Sequence, residues 1–270
     1  MQNWKLTLTY DGTAYHGWQV QPGFATIQGE LQAAIQRIVG EAPLPQGSGR
    51  TDAGVHALGQ VASFALDAPI PAANLLRALN RTLPAAIRIV EAIPVGSGFH
   101  ARHSAVAKTY EYRIFRGDLC SPFLAPYVHH CRWKLDLAAM QQDAESVVGE
   151  HDFTSLAASD PDLGNRDLNN RNPDTSEPES EAPSNIRTIF SSEWTENPGD
   201  LLLYRVRGSG FLHHMVRNLV GTMLEIGRGQ FPAGSMTGIL EARARSAAGP
   251  TAPARGLFLH SVEYPAASLL

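Results

Sequence analysis

Residues 108–114 read Lys108-Thr109-Tyr110-Glu111-Tyr112-Arg113-Ile114, with Tyr110, Tyr112 and Ile114 alternating against Thr109, Glu111 and Arg113. A period of two is strand patterning. Its place in the chain decides the fold, because it opens a second round of elements in the way the chain itself opens. Residues 5–10 alternate likewise, with Leu6, Leu8 and Tyr10 on one face, and stop at the turn pair Asp11-Gly12. Ile27, Leu31, Ala34, Ile35, Ile38 and Val39 then recur at helical spacing behind Thr26 as cap, and Gly40 ends the run. A glycine-rich loop at 47–59 flanked by short strand-like pieces, the later one at 61–66, a helix opened by Pro71 and closed by Pro84, and a strand at 87–92 complete the first round. After 108–114, Asp136 caps a helix carrying Leu137 and Met140. Strands at 186–195 and 201–207, helices at 211–226 and 235–245, and a strand at 257–264 follow. Each round reads strand, helix, strand, strand, helix, strand, with one further helix before the last strand of the second, which is the split βαβ order. The reading is an α+β fold of two ferredoxin-like (βαββαβ-type) halves, 1–105 and 106–270, with joined, predominantly antiparallel sheets.

The chain has 270 residues, enough to bury a core without staples, and only two cysteines, Cys120 and Cys131. Too few thiols for a disulfide framework point to a reducing, cytoplasmic setting. Residues 1–12 mix Lys5, Thr7, Thr9 and Asp11 with apolar residues, so no signal peptide is expected, and no apolar run is long enough to span a bilayer. The net charge is −4, with 22 basic and 26 acidic residues, which taken alone argues against a nucleic-acid binder. Placement alters that picture. Residues 157–185 hold seven of the acids and two of the bases, which leaves 20 bases against 19 acids elsewhere. All the bases but Lys5, Lys108 and Lys134 are arginines, whose planar fork suits phosphate; coding bias gives the same composition. Residues 157–185 also carry four prolines and almost no large apolar side chains, so they are expected to form a disordered acidic insertion.

The least ordinary stretch is Gly47-Ser48-Gly49-Arg50-Thr51-Asp52-Ala53-Gly54-Val55-His56-Ala57. It lacks the Gly-Lys-Ser/Thr ending of a phosphate loop and the GxSxG of a hydrolase elbow. Asp52 and His56 would share a helical face as metal ligands only in a helix, which the glycines oppose; His100-x-x-His103 and His213-His214 are equally incomplete. A carboxylate catalyst on a glycine-rich loop is the fourth reading: Arg50, two residues before Asp52, would favour its ionised form, as a nucleophile or base requires. The same spacing suits an aspartate that caps a turn and pairs with Arg50 at the surface.

The string Gly49-Arg50-Thr51-Asp52-Ala53-Gly54-Val55-His56-Ala57 resembles the signature of the tRNA pseudouridine synthases of the TruA type. Further blocks resemble that family in its order: Tyr10-Asp11-Gly12-Thr13 with Tyr15-His16-Gly17-Trp18-Gln19, Lys108-Thr109-Tyr110-Glu111-Tyr112-Arg113, Phe211-Leu212-His213-His214-Met215-Val216-Arg217-Asn218, and Ala254-Arg255-Gly256-Leu257-Phe258-Leu259. The resemblance implies an isomerase that converts uridine to pseudouridine at positions 38–40 of the tRNA anticodon arm, needing neither metal nor redox cofactor. It also implies a homodimer with a central catalytic cleft. Asp52 matches the catalytic aspartate, Arg50 the arginine that assists base extrusion, Tyr110 the tyrosine that packs on the flipped uracil, and Arg217 the arginine that pairs with the aspartate. On pattern alone Tyr110 is a half-buried strand tyrosine and Arg217 a solvated helix position. Phe211, Leu212, Met215 and Leu219 follow the helix's apolar spacing and are expected in its core. A catalytically silent RNA-binding protein of the same fold is the alternative, since ferredoxin-like sheets with exposed aromatics bind single strands.

The resemblance implies that family members normally make the connection corresponding to the one from His151-Asp152-Phe153-Thr154-Ser155 to Asn185-Ile186-Arg187-Thr188-Ile189 by a much shorter segment. An acidic segment near an RNA site would repel phosphate, so it is expected to project away. Deleting 157–185 should leave activity on tRNA intact; a large loss in the same assay would show that the segment contributes to the site or to folding.

Overall fold

The computed structural model describes residues 1–41, 43–158 and 184–269; of the insertion expected at 157–185, residues 159–183 lie outside that set. Ten strands and five helices are described: β1 (Gln2–Tyr10), α1 (Ile27–Val39), β2 (Gln46–Gly47), β3 (His56–Leu66), α2 (Ala72–Thr82), β4 (Ile87–Val95), β5 (Ala107–Phe115), β6 (His129–His130), α3 (Leu137–Glu145), β7 (Gly149–Asp152), β8 (Ile186–Asn197), β9 (Leu201–Gly208), α4 (Met215–Gly227), α5 (Ser235–Ala242) and β10 (Leu257–Glu263). By packing the chain divides into two units: Met1–Trp133 with Ser191–Ser209 and Pro253–Leu270, and Lys134–Phe190 with Gly210–Ala252. This division differs from the one by element order, because β5, β9 and β10 pack with the first unit.

In the first unit the strands run in the order β4-β1-β3-β10-β5-β9-β8, with β8 entering through residues 191–197. β4 with β1, β1 with β3, β10 with β5 and β5 with β9 pair antiparallel, whereas β10 with β3 is parallel through Phe258 with His56 and Leu259 with Ala57. Alternation along β1 buries Trp4, Leu6, Leu8 and Tyr10. The helices bury Ile27, Leu31, Ala34 and Ile35 of α1 and Leu75 and Leu79 of α2, and the two helices pack on each other. α1 starts where its cap dictates, with the Thr26 hydroxyl accepting from the Gly29 amide at 3.3 Å, and it ends at Gly40 in a positive-φ conformation.

In the second unit α4 is buried nearly all round and α3 packs against it. β7 pairs antiparallel with the start of β8, Gly149 opposite Ile189. Asp136 caps α3, accepting from the Ala139 amide at 3.0 Å. The helix predicted at 211–226 begins only at Met215, because His214 adopts a left-handed conformation (φ 59°) that a helix cannot propagate through. Met215 and Leu219 are buried in α4 as expected, whereas Phe211 and Leu212 precede it and are half-buried. α5 stops at Ala242 rather than 245, at the left-handed Arg243 (φ 48°).

The N-terminus of α5 has no side-chain cap of its own. The fully buried carboxylate of Asp143, on α3, accepts from the amides of Gly234 and Met236, both at 2.7 Å. Asp143→Ala would leave two amides at a helix start without acceptor, and is expected to lower the unfolding free energy by about 2–3 kcal/mol in urea titration. Asp143→Asn, which keeps one acceptor oxygen, should lose less.

Candidate active site

Asp52 sits on a loop whose backbone is fixed from both sides. At its entry the Ser48 amide donates to the Val61 carbonyl at 2.8 Å, and the Ser48 hydroxyl to Gln60 Oε1 at 2.7 Å. Gln60 Nε2 in turn donates to the Gly49 carbonyl at 3.0 Å, and Lys108 Nζ to the Ser48 carbonyl at 2.6 Å. At its crest Thr51 is buried, with its hydroxyl 2.8 Å from the Tyr10 hydroxyl and its carbonyl accepting from the Trp18 amide at 3.0 Å. At its exit the Asp52 carbonyl accepts from the Val55 amide at 3.1 Å, closing a turn through Gly54 (φ 76°), whose amide donates to the Tyr15 carbonyl. The turn is thus closed by main chain.

This clamp needs glycine at two places in the segment after β1. A Cβ on Gly12 would collide with the Val55 carbonyl, and one on Gly17 (φ 84°) with the Thr51 carbonyl. With Thr51 turned inward, Arg50 is exposed and Asp52 half-buried. Three strands supply the side chains beneath: Tyr10 from β1, Gln60 from β3 and Lys108 from β5.

Tyr110 shares its strand face with Lys108, two residues away. It is buried, and burial, followed by the fields of Tyr10 and of the Asp52 carboxylate, pushes its phenol up and keeps it protonated. That field reports the nearness of Asp52 and Tyr110 in the first unit. Tyr10 is pushed up to about 12 by burial, against the lowering effect of hydrogen bonds with Thr51 and Gln60. Asp52 is therefore set beside a neutral aromatic hydroxyl.

Arg217 lies in the second unit, in the first turn of α4. It is half-buried, and its Nε donates to the Ala252 carbonyl at 2.8 Å while the Ala252 amide donates back to the Arg217 carbonyl at 3.0 Å. Next to it the buried Asn218 donates to the Leu156 carbonyl at 2.7 Å and accepts from Thr251 Oγ at 2.7 Å and Arg245 at 3.2 Å. The rings of His213 and His214, tilted at 36° to each other with centroids 3.9 Å apart, precede this turn. Helical pattern alone would leave Arg217 solvated; here the loop at Ala252 covers part of it.

The model of the tRNA pseudouridine synthase family matches residues 7–104 and 144–265. The chain belongs to that family. Arg50, Asp52 and Arg217 fall inside the matched stretches, and Tyr110 falls between them. A tRNA pseudouridine synthase A of Solibacter usitatus is 52% identical over 264 residues, covering 98% of this chain and 100% of that one. One of Moorella thermoacetica is 42% identical over 262 residues, covering 96% and 98%. Among solved structures, an archaeal box H/ACA sRNP Nop10-Cbf5 complex aligns with 82% of this chain and 44% of that chain at 15% identity and a TM-score of 0.31, a likeness too weak to bear on the fold.

In the sequence Lys108 had no role and His56 was weighed only as a metal ligand. Lys108 is one of three lysines in an arginine-rich chain and shares a strand face with Tyr110, which is the signal that could have singled it out. Lys108→Met removes its charged donor from the Ser48 carbonyl and is expected to destabilise the protein by about 1.5–3 kcal/mol in urea titration, with Lys108→Arg losing less.

Proposed function

We propose that the protein isomerises uridine to pseudouridine in tRNA, at positions 38–40 of the anticodon arm. Support comes from family membership along nearly the whole chain, together with Asp52 held half-exposed on a clamped loop beside Tyr110. In this reaction the N1–C1′ bond of the uridine breaks, the uracil turns, and C5 bonds to C1′, while the proton displaced from C5 is lost and N1 gains one. Atoms and electrons balance within one nucleotide.

Asp52 acts in its anionic form on the target nucleotide. The clamp holds the carboxylate in place before substrate arrives, so little ordering is left for the moment of reaction. Arg50, exposed two residues away, assists extrusion of the base and meets the backbone or the vacated stack. Tyr110 packs its ring on the extruded uracil, a contact that base–aromatic stacking makes worth about 1–3 kcal/mol. Arg217 is the guanidinium that pairs with Asp52. The protein works as a cytoplasmic homodimer with tRNA as its partner. We also propose that its two ferredoxin-like halves, 1–105 and 106–270, bound a central cleft.

The test is incubation with an unmodified tRNA transcript carrying uridines at 38–40, with pseudouridine mapped by chemical derivatisation, for the wild type and Asp52→Asn. Conversion by the wild type and none by Asp52→Asn is expected. Binding without conversion by both would make the chain a silent RNA-binding protein of the same fold. A monomer in light scattering would overturn the dimer.

A further inference from the structure

His56, the first residue of β3, is almost fully buried directly after the Asp52–Val55 turn, and the chemistry proposed for Asp52 does not use it. Its Nδ1 lies 3.1 Å from the Gly12 amide, which donates to it, and its Nε2 lies 3.1 Å from the Pro126 carbonyl. An amide donor at Nδ1 requires a lone pair there, so the ring proton sits on Nε2 and points at Pro126. Asp11 Oδ1 is also 3.3 Å from Nδ1, which by distance alone resembles an ion pair. The directed Gly12 bond is incompatible with a proton on Nδ1, and the Asp11 carboxylate is otherwise engaged, by the Thr13 amide (2.9 Å), the Thr13 hydroxyl (2.6 Å) and the Tyr127 hydroxyl (2.9 Å). The neutral ring is the consistent state.

The groups around the imidazole come from five elements. Asp11 flanks it from the end of β1, Tyr127 at 5.3 Å between ring centroids from the turn before β6, and Phe258 of β10 stacks on it at 4.7 Å and 22°. The Arg113 guanidinium of β5 covers the Phe258 ring, 3.9 Å from its centroid, and the Arg255 backbone approaches from the turn before β10. Burial lowers the imidazole below its ordinary value of 6.5, and Arg113 adds to this, against the raising effects of Asp11 and of the Pro126 and Arg255 carbonyls. The folded protein therefore takes up this proton less readily than the unfolded chain. Its contribution to stability is complete above about 6.5 and is lost as the pH falls below.

Gly12 is the link to the active site. Its amide is held by His56, its carbonyl accepts from Tyr15, its Cα abuts the Val55 carbonyl, and Tyr15 in turn accepts from Gly54. We propose that His56 is a positioning residue for Asp52: its unprotonated Nδ1 fixes Gly12, and Gly12 braces the turn that carries the catalytic carboxylate. Protonating Nδ1 turns the acceptor into a donor, aims it at Asp11 Oδ1 and releases the Gly12 amide. The inference rests on the reading of Asp52 as the catalytic residue.

Two measurements test it. In nitrogen-15 spectra of the wild-type protein at neutral pH, His56 is expected to carry its proton on Nε2 alone; a proton on Nδ1 would overturn the proposal whether or not the protein converts tRNA. In single-turnover assays at saturating enzyme, His56→Phe keeps the stack on Phe258 but has no acceptor, and is expected to be slower by about 10²-fold with tRNA affinity unchanged. His56→Asn places Oδ1 where Nδ1 was; it should recover most of the rate and lose the wild type's His56-dependent decline toward acid pH. Equal rates for Phe and wild type, an Asn variant as slow as Phe, or a parallel loss of tRNA affinity would each overturn it. If the wild type forms no pseudouridine, the functional reading fails while the tautomer measurement still decides the state of Nδ1.

Discussion

One short parallel pairing makes the sheet of the first unit continuous. β10 meets β3 through Phe258 with His56 and Leu259 with Ala57, and lies antiparallel to β5 along its other edge. Without it, β4-β1-β3 and β5-β9-β8 would be separate sheets, each with an open edge. The pairing is reinforced off the backbone: His56 stacks on the Phe258 ring and the Arg113 guanidinium lies over it, so β3, β10 and β5 are tied by side chains as well as amides. Buried Glu111 adds a second tie between β5 and β9, bonded to Arg113 at 2.8 Å and Arg205 at 2.6 Å. Burial alone would raise its carboxyl, yet the two guanidinium groups hold it below the usual range.

The loop carrying Asp52 inherits its geometry from that sheet. Tyr10, Gln60 and Lys108 reach it from β1, β3 and β5, of which β1 and β3 are direct neighbours and β5 joins them only by way of β10. Hydrogen bonds from strands are stiffer supports than bonds from other loops, because each donor is itself fixed by ladder pairing on both sides. Gly12 and Gly17 supply the remaining restraint by letting backbone touch backbone. The outcome is a crest that alternates inward and outward: Thr51 buried, Arg50 and Asp52 presented.

What could be read from sequence was local. Thr26, Gly40 and Asp136 announced their helix ends because a cap acts within one turn of itself, and Tyr110, Tyr112 and Ile114 announced β5 because alternation is internal to a strand. Elements defined by partners were faint or silent: β2 and β6 have two residues each and exist only through pairing with β3 and β5, and while a strand-like piece before the glycine-rich loop was legible, nothing marked β6. The start of α5 was silent too, because its cap, Asp143, lies on another helix. His214 shifted the start of α4 through a backbone conformation that no residue pattern encodes. In the loop, spacing left Asp52 open between catalyst and turn cap, and only resemblance ranked them. The supports at Lys108 and His56 are long-range contacts, invisible to any local window.

The place of β10 in the chain also bears on how the protein is made. β3 and β5 leave the ribosome long before β10, so through most of synthesis the start of β3 and one edge of β5 lack the strand that separates them in the finished sheet. Joining them requires closing a loop that spans most of the described chain, a contact of high sequence separation that forms slowly. The nascent protein thus carries unpaired strand edges for an extended interval and depends on chaperones or dilution to keep them apart from other chains. The Lys108 leg of the support beneath Asp52 is assembled last, which makes the finished site a late marker of folding.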